Sequence, residues 1–258
     1  MGVLNVTPDS FYDGGDFDSL EKAVEQAVKM EKEGASVIDI GGESTRPGSE
    51  KISLEEELDR VIPVIEAVKE KVNVPISIDT YKPEIAEAAV ESGAEIVNDI
   101  YALRKKGMAR TVAELDVPVI IMHMQGTPET MQDNPSYDDV ITEVYGFLQY
   151  RAKEAEKAGI SPENIVIDPG IGFGKRTEHN LEIINRLDEF TCMGYPVLLG
   201  ASRKRYLAGV LDKDVDERLF GTVAVSALAV SKSVSILRVH DVEENLDALK
   251  TIRAITEV

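Results

Sequence analysis

Residues 74–99 read VPISIDTYKPEIAEAAVESGAEIVND. A short apolar run, Ile76-Ser77-Ile78, ends on Asp79. A helical pattern follows, and a second apolar run, Ile96-Val97, ends on Asn98. The unit recurs in both directions. Val3-Leu4 runs into Asn5, Val37-Ile38 into Asp39, Val119 to Met122 into His123, and Ile165 to Ile167 into Asp168. Val197 to Leu199 leads to Ser202, and Ile236 to Val239 surrounds Arg238 and runs into His240. Continuous rather than alternating Ile/Val runs are typical of strands buried on both faces of a parallel sheet. Eight of them, most followed by a helical pattern, predict an α/β fold of the (β/α)8 TIM-barrel type. In that fold the strand C-termini converge on one face, which carries the active site.

The helical segments support this reading. Leu20, Val24, Ala27 and Val28 form one stripe from about Asp18 to Glu33. Ser53 and Glu56 make a capping box ahead of Leu54, Leu58, Val61, Ile62, Ile65 and Val68. Asp241 stands as the cap of the last helix. The length of 258 residues is close to the roughly 250 of one barrel, so a single domain over residues 1–258 is expected. Two βα connections, Val6 to Asp16 and Gly41 to Ser49, exceed the usual length of about 2–6 residues and carry Gly, Pro and polar side chains, as lids do. A third long one follows strand five.

The formal charge is −19, from 47 acidic and 28 basic residues. Such a field repels phosphate polymers and anionic surfaces, so neither nucleic acid nor membrane is an expected partner. Part of the acidic excess, such as Glu55-Glu56-Glu57, belongs to solvated helix faces. The longest apolar stretch, Val223 to Val230, is too short to span a bilayer. Met1 runs almost directly into the first strand, so no signal peptide is expected. Cys192 is the one cysteine, which fits a reducing, cytoplasmic location.

The strand ends carry the chemistry. Asp79, Asn98 and Asp168 would point into the barrel mouth. Buried carboxylates need donors, and a flat heterocycle with an amidine-like edge, such as a pterin, supplies two parallel N–H groups. Ser202-Arg203-Lys204 lies where strand seven turns into a helix, a place that attracts anions through the helix end and two cations. Arg238 and His240, two apart on strand eight, project together. With Arg46 on the second loop they make a positive pocket suited to a diphosphate. The glycines of Asp168 to Lys175 allow either close backbone approach to a flat ligand or a tight turn. His123, His179 and His240 lack the spacing of a metal cluster. A Mg²⁺ held by substrate phosphates and water would need one or two protein oxygens, and Asn5 could give one. Asp39 and His123 are left to structural roles beneath the mouth.

These segments, with Asn5 to Phe11, Gly41 to Gly48, Ser77 to Thr80, Val97-Asn98-Asp99, Met122 to Pro128 and Arg238 to Asp241, together resemble the dihydropteroate synthase family, in order and over essentially the whole chain. The resemblance implies a transferase of folate biosynthesis and a sulfonamide target. It joins hydroxymethyl-dihydropterin pyrophosphate to para-aminobenzoate, releasing pyrophosphate, with Mg²⁺ as cofactor and two chains forming a homodimer. It implies that Asp79, Asn98, Asp168 and Lys204 hold the pterin. Arg238, His240, Thr45 and Arg46 hold the diphosphate, and Asn5 contacts the metal. Ser202 receives the aminobenzoate carboxylate, with Phe173, Phe11 and Pro47 around its ring. Asp79, Asp168, Lys204, Arg238 and His240 would carry the catalysis. Two alternatives share the fold: a pterin-dependent methyltransferase and a noncatalytic pterin-binding paralogue.

Overall fold

The computed structural model describes residues 1–7, 15–45 and 48–256. Strands β1 (Gly2–Asn5), β2 (Ile38–Gly41), β3 (Ile76–Asp79), β4 (Ile96–Asp99), β5 (Val119–Met122) and β6 (Ile165–Asp168) pair in chain order, all parallel. β7 (Leu198–Leu199) and β8 (Ile236–Leu237) form a second parallel pair. Two bridges join the pieces into a ring, Ile167 with Val197 and Gly2 with Val239. At the second, Val3 N–H donates to Val239 O and Val239 N–H to Met1 O, each at 3.0 Å. The ring is therefore an eight-stranded closed barrel, as the repeated strand–helix unit predicts.

Ten helices lie in the described residues: α1 (Gly15–Lys32), α2 (Leu54–Lys69), α3 (Pro83–Glu91), α4 (Met108–Leu115), α5 (Val140–Lys157), α6 (Thr177–Asn185), α7 (Leu187–Thr191), α8 (Arg205–Leu211), α9 (Leu219–Ser231) and α10 (Val242–Thr256). α2 starts where the sequence places it, with Ser53 Oγ accepting from Glu56 N–H at 3.1 Å. α1 starts at Gly15, three residues before the expected Asp18. Among the described residues, no helix is long and apolar enough to cross a membrane.

Strand alternation divides the residues between two cores. Ile38, Ile40, Ile76, Ile78, Val97, Val119, Ile121, Ile165 and Ile167 pack outward with the helices in one large cluster. Each such fully buried side chain contributes about 1.5–3 kcal/mol. Inside the ring, Ile120, Val166 and Leu198, with Met1, Ile96 and Ile236, form a small apolar floor. Two residues beyond Ile96, Val166 and Ile236 come Asn98, Asp168 and Arg238. The floor thus carries a polar layer at the strand C-termini, and that layer is the candidate site.

Candidate active site

Asn5, Gly41, Asp79 and Asn98 are successive partners across β1 to β4. Paired residues of parallel strands share a face, so these side chains stand at one level of the interior. Gly41 leaves a gap in that level. A Cβ there would lie 3.4 Å from Asp79 Cβ and 3.8 Å from Asn5 Oδ1. One step lower, Asp39 is fully buried and pairs in register with Ser77.

Arg238 spans the two levels. Its Nε donates to Asp39 Oδ2 at 2.6 Å and its Nη2 to Asp79 Oδ2 at 2.8 Å. Asn98 Nδ2 donates to the same Asp39 oxygen at 3.2 Å. Asp39, given a structural role from sequence, is therefore the anchor of Arg238 and Asn98. Across the mouth, Asp168 Oδ1 accepts from Gly170 N–H at 2.7 Å. Lys204 Nζ donates to Ile171 O and stands 4.5 Å from the Phe173 ring centroid.

This mouth crowds three carboxylates, Asp39, Asp79 and Asp168, around two cations. Burial pushes Asp79 up to about 7; Arg238 opposes the rise and Asp39 adds to it. Burial also raises Asp168, against Lys204 and the Gly170 N–H. Burial lowers Lys204 to about 8, against the attraction of Asp168. A ligand bringing N–H donors to the carboxylates and negative charge to the cations relieves both strains.

The Asp79 shift has a sign that can be measured. Its folded value lies above the ordinary carboxyl value of about 3.9. Between there and about 7 the folded protein holds a proton that the unfolded chain has released. The stability contributed by this group is therefore present below about pH 4 and lost as pH rises to about 7. Urea midpoints at pH 5 and pH 7.5 should fall further apart in the wild type than in Asp79→Asn. Equal differences would count against the shift.

At the β7–β8 end, Ser202 Oγ accepts from His240 N–H at 3.2 Å and lies 3.0 Å from His240 Nδ1. The residues expected to serve carboxylate and diphosphate are thus direct neighbours. Arg203 does not add charge to the site, contrary to expectation. Its backbone is left-handed at φ 55°. Its fork is taken by Asp241, with Nε at 2.8 Å from Oδ2, and by Asp216 at 3.4 Å. A bidentate carboxylate pair outweighs a long-range contribution to the mouth. The helix end expected behind Ser202 is also slight, because α8 begins only at Arg205 and has seven residues.

The glycine run resolves toward close packing of two loops. Gly170 and Gly174 have φ of 70° and 61°. A Cβ would stand 1.9 Å from His123 O at Gly170 and 2.5 Å from Gln125 O at Gly174. The close approach is to the loop after β5. Gly170→Ala combines a left-handed backbone with a backbone clash, so it should destabilise by more than about 1 kcal/mol. Urea denaturation checks this, and an unchanged midpoint would contradict it.

Lys82 fastens the loop after β2 at both ends. Its Nζ donates to Glu43 Oε2 at 2.8 Å, Ile52 O at 2.9 Å and Glu57 Oε2 at 2.6 Å. Thr45 sits half-buried on this loop. Phe11, Arg46 and Pro47 lie outside the described residues. Sequence reasoning missed a cluster made by Tyr81, Ile100, Tyr101, Met122, Met124 and Met131, with Phe173 packed against it. All of these but Met131 and Phe173 lie at or just past the ends of β3 to β5, so extending those strands by two residues would have found several. Among the described residues, no group of three His, Cys, Asp or Glu could hold a metal ion.

The model of the family described as "Pterin binding enzyme" matches residues 1–240. The dihydropteroate synthase of Haemophilus influenzae is 50% identical over 254 residues, covering 98% of this chain and 92% of that protein. The solved structure of Xanthomonas albilineans dihydropteroate synthase with 4-aminobenzoic acid superimposes with a TM-score of 0.95 at 46% identity, covering 100% of this chain and 92% of that one. The same enzyme in complex with 7,8-dihydropteroate gives 0.91 at 43% identity, covering 100% and 93%.

Proposed function

The chain belongs to the pterin-binding enzymes and, among them, to the dihydropteroate synthases, transferases that join hydroxymethyl-dihydropterin pyrophosphate to para-aminobenzoate; from that premise we propose how its residues divide the work. The supporting observation is the polar layer itself: Asn5, Asp79 and Asn98 at one level, with Arg238 held between Asp39 and Asp79.

Asp79, Asn98, Asp168 and Lys204 hold the pterin. The two carboxylates accept its ring N–H groups and favour the positive charge that develops on the ring. Arg238 and His240, with Thr45 and Arg46 of the second loop, hold the diphosphate. Its charge competes with Asp39 and Asp79 for the guanidinium. The methylene C–O bond breaks, and its electron pair leaves with pyrophosphate. The neutral aryl amine then attacks the carbon, and its extra proton passes to the departing pyrophosphate or to water. No strong general base is needed. Ser202 receives the aminobenzoate carboxylate, and Phe173, Phe11 and Pro47 surround its ring.

A Mg²⁺ fits this mouth. Asn5 Oδ1 is a hard oxygen beside the gap at Gly41, and substrate phosphates and water would complete its shell. When bound, the ion would neutralise charge on the leaving diphosphate. One domain, residues 1–258, carries all of these groups in a cytoplasmic enzyme, as the single cysteine supports.

A sulfonamide mimics the shape and charge of para-aminobenzoate, so it should raise the apparent KM for aminobenzoate and leave kcat unchanged. Inhibition insensitive to aminobenzoate concentration would count against the assigned carboxylate subsite.

The working unit is a homodimer. α9, Leu219–Ser231, carries no charged side chain, and Phe220 is 80% exposed beside exposed Leu228, with Val210, Leu211 and Val215 nearby in sequence. A helix apolar all round is normally covered. Sedimentation should give the mass of two chains, and Phe220→Asp should give one. A wild-type monomer would contradict this.

A further inference from the structure

Five consecutive backbone carbonyls in the loop after β6 each receive a side-chain donor. Lys175 Nζ reaches Gly170 O at 2.9 Å and Phe173 O at 3.0 Å. Lys204 donates to Ile171 O. Gln132 Nε2 reaches Gly172 O at 2.8 Å, and Tyr137 Oη reaches Gly174 O at 2.6 Å. Lys175 supplies two of the five and is 3% exposed. Among the described residues it has no carboxylate within ion-pair distance. With only the more distant charge of Asp168 in its favour, this buried amine is costly to keep charged and needs its hydrogen bonds. Its remaining polar contacts are both to His123 at the end of β5, the ring Nδ1 at 2.8 Å and, at the long limit of 3.4 Å, the backbone carbonyl.

Burial pushes both Lys175 and His123 toward their neutral forms. The geometry is satisfied in either charge state. An ammonium donates its third proton to His123 Nδ1, and a neutral amine accepts one from it. Two protons remain for Gly170 O and Phe173 O in each case. The His123 ring is itself fixed, edge-on to Phe147 at 4.9 Å between centroids.

We propose that Lys175 is a positioning residue for the pterin end of the site: through His123 it fastens the 170–174 loop to β5, and so fixes the Ile171 carbonyl and the Phe173 ring that locate the Lys204 amine. This rests on the reading of Lys204 as a pterin contact. It also gives His123 a role that its place at a strand end did not reveal.

The test is steady-state kinetics on the full chain with both substrates, comparing Lys175→Met, His123→Phe and Lys204→Met. Lys175→Met should raise KM for the pterin pyrophosphate about tenfold, the order of one lost buried hydrogen bond, with a much smaller change in kcat. A merely structural role would lower kcat with the active fraction and leave KM alone. His123→Phe keeps the packing on Phe147 and removes the anchor, so it should raise the same KM by a smaller factor; it decides the matter if Lys175→Met does not fold. A wild-type pterin KM in His123→Phe and in any folded Lys175→Met, beside a raised one in Lys204→Met, overturns the proposal. An unchanged KM in Lys204→Met overturns the reading of Lys204 and this inference with it.

Discussion

Arg238→Ala is expected to lower kcat at least about tenfold, because removing a preorganised cation from a leaving group's charge costs about 2.7–4 kcal/mol where the effect is fully expressed. The structure adds a second consequence. Arg238 is the shared partner of Asp39, which is fully buried, and of Asp79. Breaking a buried pair by deleting one partner costs about 3–5 kcal/mol, so the melting temperature should fall as well. Arg238→Lys separates the two effects. It keeps a charge near Asp39 but loses the fork that reaches Asp79 and would hold phosphate oxygens. Its turnover should remain well below wild type while much of the lost stability returns. Near wild-type turnover of Arg238→Ala at saturating substrate would remove the residue from the leaving-group role.

Asp168→Asn is expected to lower kcat/KM for the pterin substrate about 10- to 100-fold, the value of a charged hydrogen bond lost from a buried site. Asparagine keeps the shape, and its Oδ1 can still accept the Gly170 N–H that Asp168 holds at 2.7 Å. The fold should therefore persist, and the loss should reside in the pterin rather than in the KM for aminobenzoate. Lys204 should also change. Asp168 is the main neighbour holding the Lys204 amine up against burial, so the substitution should lower the lysine further. An equal loss for both substrates would point to a collapsed loop instead of a missing charge.

The strand ends were legible because alternation is a local rule. Once Ile96, Val166 and Ile236 face inward, Asn98, Asp168 and Arg238 must follow them at the mouth. The Ser53 N-cap was legible for the same reason, although the Glu56 carboxylate turns to Arg60 instead of closing the expected capping box. What the sequence hid were choices made between distant segments. Arg203 stands beside Lys204 in the chain, yet it turns to Asp241, 38 residues away, and leaves the site to its neighbour. Asp39 and Arg238 are 199 residues apart, and no spacing rule joins them. The three glycines after Asp168 were equally consistent with a ligand or a turn, until Gly170 and Gly174 proved to make room for the His123 and Gln125 carbonyls and Gly172 for the Lys204 side chain. The aromatic and methionine cluster of Tyr81, Tyr101 and Met131 was hidden because its members come from loops that meet only when the barrel closes.

If this barrel mouth couples departure of a diphosphate to attack by an aryl amine, the two products must form together. The most direct measurement follows pyrophosphate and dihydropteroate together, with purified protein, hydroxymethyl-dihydropterin pyrophosphate and Mg²⁺, with and without para-aminobenzoate. Equal amounts of both products are expected when aminobenzoate is present, and no dihydropteroate when it is omitted. Pyrophosphate release that never yields dihydropteroate, or no turnover with both substrates saturating, would contradict it.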